Sequence, residues 1–293
     1  MSKIREIRVE FELGGTPLVG ILCRPEGEDP QIGLVITGPL TSVKEQVGLN
    51  YARAMAKRGF AALSFDHRHF GESGGEPRQF ESPPEKVRDI QAAVEFLKDD
   101  MGLAHVGAVG VCAGAGYMAG AVAQTPEIEA WGAVAGFFHD NAQQRQWMGE
   151  GYDAAIDRAR AARRSFEESG EVKTIPAVGD GEVAMPMAEA FEYYGTDRGG
   201  LGGWKNSFAV MSREHTLPWD AQSFAPKIEV PTMVIHSDNA LAPALARKFH
   251  EHLAGPAQLA WTTSRGQIDF YDAPELIEPT ADKLEVHFRR LTQ

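Results

Sequence analysis

Val109-Gly110-Val111-Cys112-Ala113-Gly114-Ala115-Gly116-Tyr117 is the stretch whose reading decides the fold. The apolar run that ends at Val111 suits a strand covered on both faces, and the small residues from Ala113 to Gln124 suit a tightly packed helix. Between them stands G-x-C-x-G, the nucleophile-elbow pattern with cysteine at its centre, in which the glycines let a strained strand-to-helix corner pass close to its neighbours. Cys112 occupies the apex. The amides and positive dipole end of the following helix point at its sulfur and are expected to favour thiolate over thiol.

Working outward, Ile4 to Leu13 and Leu18 to Arg24 alternate about Gly14-Gly15-Thr16-Pro17 and predict an opening antiparallel hairpin. Ile32 to Ile36, Phe60 to Phe65 and His105 to Val111 read as buried strands, with helices over Val43 to Arg58 and from Pro83-Pro84 to about Lys98. Beyond the corner, strands are predicted over Glu129 to Phe138, Val230 to Ser237 and Ala257 to Thr263, and helices over Pro243 to Leu253 and Ala281 to Leu291. Strands alternating with helices predict a mainly parallel, doubly wound sheet whose ligand site lies beyond the strands' C-terminal ends. Cys112, the loop Thr37 to Ser42 and Asp66 all fall there.

From His139 to about Lys227 this rhythm fails. Amphipathic helices over Asp153 to Glu168 and Ala184 to Tyr194 have no buried strand between them. The expected division is a core of residues 1–138 and 228–293 with a mostly helical cap over 139–227. The cap's apolar residues, Trp204 and Tyr194 among them, predict the wall of an apolar pocket, with Phe138 joining from the end of the preceding strand.

Composition narrows the partners. The 293 residues carry a formal charge of -12, which argues against nucleic acid or an anionic membrane surface. No stretch approaches an uninterrupted membrane span, and Met1 to Glu6 lacks an apolar signal region, so a cytoplasmic setting is the expectation. Cys23 and Cys112 are too few for a disulfide framework and have no metal-site spacing, so neither metal nor cofactor is implied. A small-molecule substrate is the expected partner, with a homodimer left open.

With these motifs in place the chain resembles the α/β-hydrolase superfamily, and within it the dienelactone hydrolases and bacterial esterase-like proteins. The resemblance rests on the elbow Gly110 to Gly114, on Asp66-His67-Arg68-His69-Phe70-Gly71-Glu72-Ser73, and on the order elbow, cap, acid strand, final loop. It implies that Cys112 is the nucleophile and that Leu40 and Ala113 supply the oxyanion-hole amides, Pro39 having no N–H. In His236-Ser237-Asp238-Asn239-Ala240 the family's acid place holds Ala240, which leaves Asp238 as the nearest carboxylate. The final loop Ser264-Arg265-Gly266-Gln267-Ile268-Asp269-Phe270-Tyr271 resembles the family's G-H-x-x-x-Y, with Gln267 where the histidine would stand. Glutamine accepts no proton near neutral pH, so deacylation by water lacks its base. Two enzyme readings follow: natural-product tailoring without a water step on an apolar, polyketide-like carbonyl compound, or Cys-dependent hydrolysis of an ester, lactone or thioester with a relocated base such as His215. A silent binding protein that keeps the pocket is a third.

Overall fold

Alternation in the first two apolar segments produces β1 (Ile4–Leu13) and β2 (Thr16–Pro25), paired antiparallel from Ile4 opposite Pro25 to Leu13 opposite Thr16. The structure, a computed structural model, describes residues 3–293. The runs without a polar face become β3 (Ile32–Thr37), β4 (Ala61–Phe65), β5 (His105–Val111) and β6 (Ile128–Val134), nearly every residue of which is buried. Helices α1 (Val47–Ala56), α2 (Pro83–Glu95) and α3 (Ala113–Val122) cross between them. α3 is buried along its whole length, which its alanines and glycines permit by letting backbones approach closely.

The insertion after β6 holds α4 (Asn141–Met148), α5 (Gly151–Ser169), β7 (Thr174–Ile175), α6 (Ala188–Tyr194), β8 (Phe208–Ala209) and α7 (Arg213–Thr216). The two-residue strands pair only with each other. The main pattern then resumes with β9 (Thr232–Ser237), α8 (Pro243–Glu251), β10 (Ala257–Thr262), α9 (Asp269–Asp272) and α10 (Pro274–Phe288). The eight-stranded sheet runs β1-β2-β4-β3-β5-β6-β9-β10, with β2 antiparallel to both neighbours and the pairs from β4 to β10 parallel. This is the α/β-hydrolase fold.

Several boundaries differ from the sequence pattern for local reasons. The helix expected from Val43 starts at Val47, because the Val43 amide is taken by the Gln46 side chain (2.9 Å) and the Lys44 amide by Asp66 (2.7 Å). The strand expected to reach Phe138 ends at Val134, where Ala135 turns to a φ of 42°. The closing helix begins at Pro274 rather than Ala281, with proline in its first turn, where no N–H is needed, and Pro279 inside it. α4 has no counterpart in the sequence reading; its Asp140 cap, which accepts from the Gln143 amide at 3.0 Å, is the signal that marks it.

Candidate active site

The corner after β5 is as tight as its glycines suggest. Cys112 sits at φ 55°, ψ -126°, a conformation that strains any residue with a Cβ. A Cβ on Gly110 would lie 2.6 Å from the Ala115 Cα, and one on Gly114 would collide with the carbonyls of Thr37 and Gly38. The strain is held from both ends: the Cys112 amide donates to the Val134 carbonyl (3.2 Å), and the Cys112 carbonyl accepts from the amides of Phe137 (2.9 Å) and Ala115 (3.0 Å).

The sulfur is nearly out of water, with Cys112 7% exposed. The Tyr271 hydroxyl, the Ala113 amide and the Gln267 carboxamide act on it to favour thiolate, but burial is the larger effect and pushes the thiol above its ordinary range. The helix end does favour thiolate, as expected, but burial outweighs it. Cys23, in β2, is pushed up to about 12 by burial.

A cavity of about 410 Å³ opens beside Cys112. Ala113 and Leu40 line it on the elbow side, and Met185, Met187, Tyr194 and Leu217 of the insertion line it opposite. The neighbouring Thr41 amide is taken by Glu81 (3.3 Å), which leaves Leu40 as the residue of that loop presented to the cavity. Glu81 is itself fully buried, accepting from the Tyr117 hydroxyl (2.8 Å) and the Lys86 ammonium (2.6 Å).

The other predicted residues fare differently. Gln267 does lie at the sulfur, fully buried and clamped: its Nε2 donates to the Ala135 carbonyl (2.9 Å) and its Oε1 accepts from the Leu241 amide (2.8 Å). Asp238 is not in the site. It is exposed, and its carboxylate pairs with Arg247 (2.9 Å), which lowers its pKa. The loop after β9 offers Gln267 the Leu241 amide instead of a carboxylate. His215 does not line the cavity either; its ring packs edge-on against Phe80 (5.3 Å). Phe138 belongs to the core, stacked on Phe249 (4.1 Å, 13°), because the turn at Ala135 breaks the strand's alternation and sends Phe137 to the cavity. Trp204 stands in a second row behind Tyr194, its ring stacked on the tyrosine (5.1 Å, 27°) and its Nε1 bonded to Thr41 Oγ1 (3.3 Å).

Three residues at the site were given no role in the sequence reading. Tyr271, four residues beyond Gln267, faces both Gln267 and Cys112, a proximity that the i, i+4 spacing could have signalled. Glu189 of α6 accepts from the Gln267 and Ile268 amides (3.3 and 3.4 Å) and so ties the insertion to the last loop, with no local signal. His139 lines the cavity but is stacked on Tyr117 (5.5 Å) and so desolvated that its pKa is lowered to about 3. Among the described residues no cluster of His, Cys, Asp or Glu is placed to hold a metal ion, and no helix is long and apolar enough to cross a membrane.

The family model described as serine aminopeptidase, S33, matches residues 43–261. The chain belongs to this family of α/β hydrolases. It is the superfamily that the motifs resemble. An uncharacterized protein of Pseudomonas aeruginosa, PA2218, is 27% identical over 294 residues, covering 92% of this chain and 77% of its own length. Its crystal structure superposes with a TM-score of 0.83 at 26% identity, over 98% of this chain and 95% of that one. Shorter matches are to the thiohydrolase aneE of Aspergillus aculeatus, 38% identical over 96 residues (32% of this chain, 30% of that one), and to the polyketide transferase claH of Penicillium crustosum, 37% identical over 93 residues (31% and 30%).

Proposed function

We propose that this protein is an acyl-transferring enzyme that takes a small, largely apolar carbonyl compound onto Cys112 and passes it on without a water step, by cyclisation, conjugate addition or carbon–carbon bond formation in natural-product tailoring. The observation that carries this reading is Gln267. It stands where a base would, and its carboxamide is held at both ends by backbone groups. Attack by Sγ would place the substrate oxygen at the Leu40 and Ala113 amides, and the largely apolar cavity would keep water from the acyl group. In this arrangement residues 139–227 act as the cap that supplies the pocket's far wall. The polyketide transferase match supports the tailoring chemistry.

Thioester hydrolysis is the second reading, favoured by the thiohydrolase match. Its base would be His139 rather than His215, since His139 is the histidine that lines the cavity. Desolvation makes that imidazole a weak base, which favours the first reading. An activated aryl ester distinguishes the two. The acyl-transfer reading predicts a burst of one equivalent followed by a stall, and renewed turnover in Gln267→His, because a general base is worth about 10²- to 10⁴-fold. Sustained turnover by the unmodified protein, abolished by His139→Gln, would instead establish hydrolysis.

A further inference from the structure

An acyl group that moves from a thioester to Cys112 trades places with a hydrogen: the Cys112 thiol must lose one, and the departing sulfur must gain one. Gln267 takes up no proton near neutral pH, and both ends of its carboxamide are held by backbone groups. Among the described residues, the cavity wall carries four titratable groups besides Cys112, namely His139, Tyr194, Arg213 and Tyr271. A Cβ on Gly116 would lie 2.5 Å from His139 Nδ1, so that nitrogen is packed onto the first turn of α3. Arg213 is tied to Glu182 and to the Val183 carbonyl. The Tyr194 hydroxyl is buried with no partner. Of the four, Tyr271 is the one whose hydroxyl is hydrogen-bonded to the Cys112 sulfur.

Its position is fixed from behind and from the side. The Tyr271 carbonyl accepts from Asn50 Nδ2 (2.9 Å) and the Phe270 carbonyl from the Tyr51 hydroxyl (2.9 Å), so α1 holds the short α9 in place. Tyr193 (5.4 Å) and Tyr194 (6.5 Å) meet its ring edge-on. Burial keeps the phenol protonated. A phenol both donates and accepts, so its oxygen can accept from the thiol while its own O–H turns to a second sulfur. We propose that Tyr271 is the proton relay of acyl transfer to Cys112, taking the thiol hydrogen onto its oxygen as it gives its own hydrogen to the departing sulfur. This rests on the reading of Cys112 as acyl acceptor. The Sγ–acyl bond forms, the carbon–sulfur bond of the incoming thioester breaks, and Tyr271 ends the step as the phenol it began. The relay does not serve water, which is a weaker nucleophile than a thiol and needs a base to take up its proton.

The test compares the octanoyl thioesters of N-acetylcysteamine and of thiophenol by single-turnover acylation of Cys112, read by intact mass. The alkyl thiolate is the stronger base and needs a proton to leave, whereas the phenyl thiolate departs without one. Tyr271→Phe removes the hydrogen bond to Sγ for both compounds alike, so the readout is the ratio of the two losses. The loss with the alkyl thioester should exceed the loss with the phenyl one by about 10²-fold, the lower end of what general acid–base catalysis contributes. Equal losses, or none, would overturn the relay and leave Cys112 an acyl acceptor. No acylation of the unmodified protein by either compound would overturn the acyl-acceptor reading and the relay with it. If Tyr271→Phe does not fold, the unmodified protein decides. Two hydrogens in flight make the alkyl-thioester rate fall along a curve as the deuterium fraction of the solvent rises, and a straight line overturns the relay.

Discussion

On the elbow side of the cavity, Cys112 is fixed by backbone hydrogen bonds from β6 and α3 and flanked by a loop anchored on buried Glu81. On the other side, beyond β9 and β10, stand an amide clamped between backbone groups and a carboxylate turned out to solvent. In the proposed function the first side presents a nucleophile and holds an oxyanion. The second has kept a shape and has no base to take a proton from water. On the proposed reading, a site of this kind retains the geometry for forming an acyl intermediate and lacks the means to give it to water, because the two tasks reside in different loops of the sheet edge.

The largest effect should come from breaking the anchor of the elbow side. Glu81→Gln leaves the Lys86 ammonium buried without its counter-charge and should cost about 3–5 kcal/mol in denaturant unfolding. Gly114→Ala should cost about 1–3 kcal/mol, since the added methyl meets the carbonyls of Thr37 and Gly38 and backbone yields less readily than a side chain. Gln267→Ala should cost a similar or smaller amount, about 1–3 kcal/mol, by orphaning the Leu241 amide and the Ala135 carbonyl.

Acid sharpens the comparison in a different way. His139 and His287 are buried neutral, with pKa values lowered to about 3 and about 4. Each takes up a proton in the unfolded chain at a higher pH than in the folded one, so stability is full above about 6.5 and falls as pH drops toward those values. A pH series of unfolding midpoints should show this decline, and His139→Phe should flatten it. The smallest effect is expected at Asp238. Asp238→Asn should leave both Tm and the acylation rate of Cys112 unchanged, because the carboxylate is exposed and is not part of the cavity wall.

What could be read from the sequence follows the same division. The elbow is local: glycine spacing, an apolar strand and a small-residue helix place Cys112 and Ala113 at the corner within a few residues, and Leu40, chosen for proline's missing N–H, lines the cavity beside them. The sheet was equally readable, since unbroken apolar runs mark doubly covered strands. Asp238 was misread because its neighbour Arg247 comes from the next helix, and only the fold shows that the pair faces solvent. Phe138 was misread because the strand was carried past Ala135, a residue with positive φ. The role of Glu189 depends on how the insertion lies against the last loop, a contact 78 residues apart in sequence that no local pattern encodes.

The lifetime of an acyl group on Cys112 tests the central claim most directly. After brief exposure to an activated octanoyl ester and removal of excess reagent, peptide mapping should find the octanoyl group on Cys112 and not on Cys23. The account predicts that it persists for hours in buffer at neutral pH and is discharged by an added thiol or by Gln267→His. An adduct that the unmodified protein hydrolyses within seconds, or an octanoyl group found on Cys23 instead, would contradict it.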